Sequence, residues 1–379
     1  MAPPSATETV LETKTAISPI LEEVQSRKLP TIDEVRKAIP PQCFEKNALI
    51  SIYFLIQDYV IIAGLYWILP TVEAYAGWAG LLVWYWFTGM FMSSLFIIGH
   101  DCGHTTFSEY EWLNDICGHI AHAPILAPYW PWQKSHRQHH QYTSHVDKDK
   151  GHPWVTEEIH FSRDFISRHF SRIPISGFFR WNPVYTMFGL PDGSHFYPFS
   201  RLFTNNKERV QCVISGLACL FCAGVALHLC DYSFYNFVKY YYVPVLFQGF
   251  WMVMITYLQH QDEEIEVYEE GTWNYVRGQT QTIDRVYGFG MDSALHHITD
   301  GHVAHHFFFT KIPHYHLLEA TEAIKKVLAP YQGAYKIKSN YDHLFEFCRL
   351  NLKLSYLLGR GTGVLKYKCS KSYDGKKTE

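Results

Sequence analysis

Four stretches of this 379-residue chain are apolar for long enough to cross the roughly 30 Å hydrocarbon core of a bilayer. They lie near residues 49–70, 78–99, 210–230 and 237–258. At 1.5 Å per residue, about 22 residues reach ~33 Å. Only residues 71–77 and 231–236 separate the members of each pair. The expected fold is therefore an all-α integral membrane protein, with four transmembrane helices in two hairpins. The core domain should run over residues 48–367, with tails at 1–47 and 368–379, and the rest of it should form a helical cap on one side.

Charge sets the orientation. Neither short connection contains Lys or Arg, whereas Arg27, Lys28, Arg36, Lys37 and Lys46 precede the first span. Lys134, Arg137, Lys148, Lys150 and Arg163 lie between the hairpins. By the positive-inside rule, both termini and the middle segment are cytosolic. Asp58 falls within the first span and must face a protein interior. Lys239 opens the fourth and can snorkel to the interface. Residues 116–129 are apolar but too short and too rich in His to cross, so they read as interfacial or re-entrant.

Aromatic residues make up 17% of the chain, a loading that suits a lipid interface. The 22 His exceed what a core needs, and imidazole is the commonest metal ligand. A formal charge of −3 provides no basic field, which excludes nucleic acid as a partner. Nine irregularly spaced Cys argue for a reducing, cytosol-facing environment rather than a disulfide framework. Cys219 and Cys222 are spaced like a redox pair but lie in an apolar run, where they read as packing residues. The first 47 residues lack the pattern of a secretory signal. A mobile tail is expected there, followed by a short amphipathic helix over residues 31–38, capped by Thr31 and Asp33.

Three histidine clusters carry the chemistry: His100 with His104, His136 with His139 and His140, and His302 with His305 and His306. On a helix, residues at i, i+3 and i+4 project from one face, so each cluster presents its imidazoles as a block. Eight neutral donors are too many for one ion and suit two. Four crossings also bring all three clusters to the same side of the membrane, an agreement between features read from different residues. A lone pair with such spacing is more often coincidence, so His119 and His122 are set aside. His260, at the cytosolic end of the fourth span, is the favoured ninth donor. His296 competes with it and otherwise orients a ligand or a water from behind. His297, His314 and His316 read as bystanders. Imidazole alone does not select a metal. No Glu follows the first His of a cluster, as it does in many zinc hydrolases. An all-His pair of metals at a membrane surface suits dioxygen chemistry on a lipid. Iron is the inference, with manganese and zinc open.

These clusters, in their order and spacing between two hairpins, resemble those of the membrane-bound fatty acid desaturases. The resemblance covers about residues 29–367 and is most specific at 99–107, 132–153 and 279–319. Within the family the chain is similar to the methyl-end type, particularly the nematode Δ12 and ω-3 enzymes. The resemblance implies a centre of two iron ions that activates dioxygen and removes hydrogens from adjacent methylenes, leaving a cis double bond. The eight cluster histidines correspond to its ligands. It also implies cytochrome b5 and its reductase as electron donors and an endoplasmic reticulum membrane. Front-end members carry a fused cytochrome b5 domain and a Gln at the start of the third cluster. This sequence has His302 there and only a short N-terminal segment, which points away from that subgroup.

The resemblance further implies a fatty acyl chain, carried on phospholipid or acyl-CoA, held bent in a narrow apolar tunnel. Oleoyl-to-linoleoyl (Δ12) conversion is preferred, through the Arg137-Gln138 pair; ω-3 or dual activity is the alternative. A hydroxylase, acetylenase or epoxygenase on the same scaffold is the nearest rival in chemistry. A metal transporter is the non-enzyme rival, disfavoured because the histidines lie beyond the helix ends rather than at mid-bilayer. A haem-binding electron carrier would need isolated His within facing spans, and only His228 lies inside one. Lys376 and Lys377 resemble a retrieval signal for the endoplasmic reticulum.

Overall fold

The computed structural model describes residues 19–152, 154–170, 172–189 and 191–369. The start of the N-terminal tail and the Lys376-Lys377 pair lie outside the described residues. Among the described residues the protein is mostly helical, and three helices are long and apolar enough to cross a membrane: Ala48–Gly103, Asn206–Leu229 and Phe234–His260.

The first of these is two arms rather than one rod. Gly77 has φ 52° and ψ −140°, a backbone conformation that breaks the helix. Trp84 Nε1 donates to Leu65 O at 2.7 Å, and the rings of Tyr66 and Trp84 lie 5.1 Å apart. On a straight helix residues 65 and 84 would be about 28 Å apart, so the chain reverses at Gly77. The expected loop over 71–77 is not a loop. The helix continues through Pro70 to residue 76, and the reversal is confined to the one residue that lacks a Cβ. The second hairpin turns at Asp231 and Tyr232, both at positive φ, with Tyr232 N donating to Leu227 O at 2.9 Å.

Burial sorts the arms. Only 17% of the apolar window in each of the first two helices is buried inside the protein, against 56% in Phe234–His260, which is therefore the central one. Its inner face packs Trp251, Met254 and Leu258 against Met90 and Ile97. Asp58 is 1% exposed and accepts from His296, so the carboxylate within the first apolar run faces the interior as expected. Lys239 is tied at the hairpin end by Glu73, 2.5 Å away, rather than reaching outward alone. Helix Glu111–His122 and its continuation Ala123–Ile125 pack on the first helix without crossing.

The cap differs from the all-helical expectation. Strands β1 (Glu266–Tyr268), β4 (Leu354–Leu358) and β5 (Val364–Cys369) form a three-stranded sheet in the order β1-β5-β4. Strands β2 (Asp284–Val286) and β3 (Ile337–Ser339) pair in parallel. Residues 368 and 369 thus belong to a strand. These sheets do a positional job: Arg285, fully buried on β2, donates from Nε to Leu258 O at 2.5 Å and from Nη2 to Asp262 at 2.8 Å. It thereby caps the last turn of the central helix, where carbonyls lack partners.

From Pro19 the N-terminal segment is helical, and Val24 buries against Tyr268 and Val364. Helix Ile32–Ala38 starts in a capping box, with Thr31 accepting from Glu34 N and the Glu34 side chain accepting from Thr31 N. Asp33 lies in its first turn and is not the cap. Val35, Ile39 and Cys43 then bury against Val303, Phe307 and Leu317, clamping the third histidine cluster from outside.

Because φ near +52° is costly for any residue with a Cβ, Gly77→Val is expected to destabilise the hairpin by about 1–3 kcal/mol. Gly64→Ala, on the same arm with open space around it, should be neutral or stabilising. Thermal unfolding of the detergent-solubilised protein compares the two, and an unchanged midpoint for Gly77→Val would refute the assigned reversal.

Candidate metal centre

Each histidine cluster sits on a helix or at its end. His100 and His104 close the last turn of Ala48–Gly103, with His104 as its C-cap. His136, His139 and His140 lie on helix Tyr129–Gln141, and His302, His305 and His306 on helix His302–Phe307. His260 ends the central helix. All but His136 among these nine are buried.

The nine imidazoles converge as two groups. Donor nitrogens of His100, His104, His136, His140 and His305 all lie within 4.8 Å of one another, as do those of His139, His260 and His306. His302 joins the second group, with its Nε2 3.0 Å from His260 Nε2 and its ring centroid 4.4 Å from that of His306. Nε2 faces Nε2 throughout: 3.0 Å for His136 and His140, 3.2 Å for His140 and His305, 3.3 Å for His139 and His260. An imidazole nitrogen carries one lone pair or one proton. His140 Nε2 and His260 Nε2 each face two others, so hydrogen bonds alone cannot satisfy the set. Nitrogens about 2.0–2.1 Å from a shared cation sit ~3 Å apart at right angles, which matches. The Nε2 atoms of His104 and His306 are buried with no hydrogen-bond partner. The donor set fits metal ions.

The surroundings hold the rings in a form able to ligate. Burial pushes His136, His140, His302, His305 and His306 well below the ordinary histidine range, and neighbouring imidazoles push each further down. They are neutral, with lone pairs free. His139 Nδ1 donates to Asp149 Oδ1 at 2.8 Å, and His306 Nδ1 to Gln279 Oε1 at 3.1 Å. Both leave Nε2 unprotonated and aimed inward.

His296 is not in either group. Its Nε2 bonds Asp58 Oδ2 at 2.8 Å and its ring packs against His314 at 4.8 Å. His314 in turn bonds Asp101 at 2.9 Å, beside His100. His296 and His314 thus buttress the first cluster from behind. His297 pairs with Asp300 at the surface, and His316 lies with Cys43 and Glu319. His122 is spent on Phe96 O and His119 on Asp115 O and Ser215. Sequence reasoning missed Asp149, Gln279, Thr143 and His152. Thr143 Oγ1 is 3.2 Å from His306 Nδ1, and His152 packs 5.4 Å from His260 while bonding Gln261. Asp149 sits in a charged run that reads as a solvated loop, and no spacing signal marked it.

A cavity of about 640 Å³ abuts the first group at His100 and His136 and the second at His302. Near the histidines its walls are mostly apolar: Phe96, Ile97, Trp181, Met252, Val253 and Ile298.

The fatty acid desaturase family profile matches residues 76–339, well over half of the chain. The chain belongs to the fatty acid desaturase family. It is 62% identical over 351 residues to a Delta(12) fatty acid desaturase of Caenorhabditis elegans, covering 92% of this chain and 93% of that one. An omega-3 fatty acid desaturase of the same organism is 52% identical over 344 residues, covering 90% and 85%. An omega-6 fatty acid desaturase of Brassica juncea, named for the endoplasmic reticulum, is 34% identical over 321 residues, covering 79% and 82%. This desaturase is an enzyme, an oxidoreductase of lipid metabolism with a histidine-rich metal-binding centre.

Because a carboxylate behind a ligating imidazole fixes its tautomer, Asp149→Asn is expected to weaken metal retention about 10–100-fold. Chelator competition followed by elemental analysis measures it. Asp147→Asn, which removes only an exposed pair with Arg360, should leave retention unchanged. Equal retention in both variants would strike Asp149 from the site.

Proposed function

We propose that this chain desaturates oleoyl to linoleoyl at Δ12. The observation that carries the reading is the convergence of nine imidazoles, eight of them buried, from four separated segments, beside an apolar cavity. In this reading two iron ions are held, one by His100, His104, His136, His140 and His305, the other by His139, His260, His302 and His306. When bound, they supply the dioxygen-derived oxidising power that takes two hydrogens from adjacent methylenes. The Δ12 position is favoured over ω-3 by the 62% against 52% identity to relatives so named. That second relative keeps ω-3 or dual activity as the alternative.

The chain's own contribution is position. An unactivated methylene has no acidic proton, so side-chain acid–base groups cannot remove its hydrogen. What remains for the protein is to present one pair of carbons and exclude water. The cavity's volume lies within the roughly 300–1,000 Å³ typical of ligand sites. His100, His136 and His302 form its reactive wall.

Four membrane crossings follow from treating each arm of both hairpins as a span. The turns at Gly77 and Asp231 then face one side, and every cluster histidine faces the other, the cytosol, with both termini. Cytochrome b5 and its reductase would deliver electrons there, and the relative named for the endoplasmic reticulum supports that membrane as the location.

Expression in a yeast lacking polyunsaturated fatty acids should yield an oleate-derived diene at the 12-position. A hydroxy acid would defeat the desaturase reading, and a bond only at the ω-3 position of supplied linoleate would defeat Δ12. His139→Ala should abolish product while membrane insertion persists. For the topology, a cysteine at Tyr232 should react with an impermeant thiol reagent only after the organelle is opened, and one at Lys326 without opening. Matching behaviour at the two positions would refute the orientation.

A further inference from the structure

A further group of metal-binding side chains shares no residue with the nine imidazoles. It lies where the N-terminal segment packs on the helix that follows the third histidine cluster. Cys43 belongs to the short 3-10 turn Pro41–Phe44, His316 is the N-cap residue of helix Leu317–Leu328, and Glu319 stands in that helix's first turn. The thiol sulfur, an imidazole nitrogen and a carboxylate oxygen all lie within 4.8 Å of one another. Cys43 is fully buried, His316 half-buried and Glu319 exposed, so an ion can enter from water past the carboxylate.

Little else claims these donors. Gln42 Nε2 donates to Glu319 Oε1 at 2.7 Å, tying together residues 277 apart in sequence. This amide is neutral, and among the described residues no Lys or Arg pairs with Glu319. Neither ring nitrogen of His316 makes a hydrogen bond among the described residues. Burial, then a hydrogen bond to the Glu319 carboxylate, pushes the Cys43 thiol up to about 12. Burial lowers His316, against an upward pull from Glu319 and Glu45. The charged groups that act on the thiol and the imidazole are therefore carboxylates, not cations.

We infer that Cys43, His316 and Glu319 form a binding site for a zinc-type divalent cation, separate from the histidine centre and independent of the chemistry proposed there. Thiolate and imidazole select such an ion over magnesium or calcium, which take oxygen ligands. Tetrahedral bonds of about 2.0–2.3 Å place donors ~3.4–3.6 Å apart. Donors already within 4.8 Å need only a small closure, a movement the exposed Glu319 side chain can supply. The open side leaves the fourth position to water. Binding exchanges the thiol proton for the metal and releases it to solvent. The ion would staple the N-terminal segment to helix Leu317–Leu328. Because Cys43 packs with Val303, Phe307 and Leu317, the staple would tighten the clamp over the third histidine cluster.

Cobalt(II) distinguishes this site from the histidine groups, because a thiolate-to-cobalt charge-transfer band needs sulfur and those groups have none. Purified full-length, iron-loaded protein would be titrated with Co²⁺ and its near-ultraviolet absorption followed. One equivalent is expected to develop the band, Zn²⁺ to abolish it and Mg²⁺ to leave it intact. Cys43→Ser should remove the band, whereas Cys348→Ser, on helix His343–Lys353, should keep it. Glu319→Gln alters an exposed residue and still offers Gln42 an acceptor, so it is read in a folded protein. That variant and His316→Gln should each raise the cobalt Kd at least about 100-fold, more than the loss of an outer hydrogen-bond partner costs. Absence of the band in the unaltered protein would overturn the proposal, as would a band that survives Cys43→Ser. So would an affinity indifferent to both His316 and Glu319, which marks an adventitious ion on a lone thiol.

Discussion

Nine imidazoles, packed ring against ring with all but His136 buried, must present lone pairs to common points. That requirement governs the rest of the structure. A buried polar nitrogen left unpaired costs about 1–3 kcal/mol, so such a set does not assemble by its own preference. It has to be imposed by elements that are stable for other reasons. The long helices bring His100, His104 and His260 to the same end of the bundle, and the cap presses the other six onto them.

The helix His302–Phe307 shows how much imposition is needed. Six residues form less than two turns, far below the length at which a helix persists alone. It is held from below by Asp284, whose Oδ1 accepts from Val303 N at 2.8 Å and whose Oδ2 accepts from Tyr335. From outside it is held by Val35, Ile39 and Cys43 of the N-terminal segment. Asp284 stands on the strand whose next residue, Arg285, fixes the end of the central helix and hence His260. Two residues of one short strand therefore set the distance between the third cluster and the ninth imidazole.

This division explains what could be read from the sequence. Apolar runs and the i, i+3, i+4 spacing of histidines are local patterns, and both describe real elements. The end of the first hairpin was misplaced because Thr71, Glu73 and Gly77 look like a loop, although only Gly77 has a backbone that reverses the chain. The sheets were invisible because a strand such as Glu266–Tyr268 has three residues, all buried, and shows no alternation to detect. Asp149 and Gln279 were equally hidden. Each acts only because the chain folds it behind a histidine that is 10 residues away in one case and 27 in the other.

The HxxHH spacing itself accounts for the division into two groups. At 100° per residue, positions i and i+4 lie about 40° apart, whereas i+3 falls about 60° to the other side of i. In the second cluster, His136 and His140 accordingly share one group while His139 reaches the other. In the third cluster the assignment is inverted: His302 and His306 share the second group and His305 crosses to the first. Helices Tyr129–Gln141 and His302–Phe307 thus each contribute to both groups, so the separation between the groups is fixed by helical geometry rather than by loop conformation. A pair at i and i+3 alone, such as His119 and His122, lacks the i+4 ring that keeps two donors on one group, and its rings bond Asp115 O, Ser215 and Phe96 O instead.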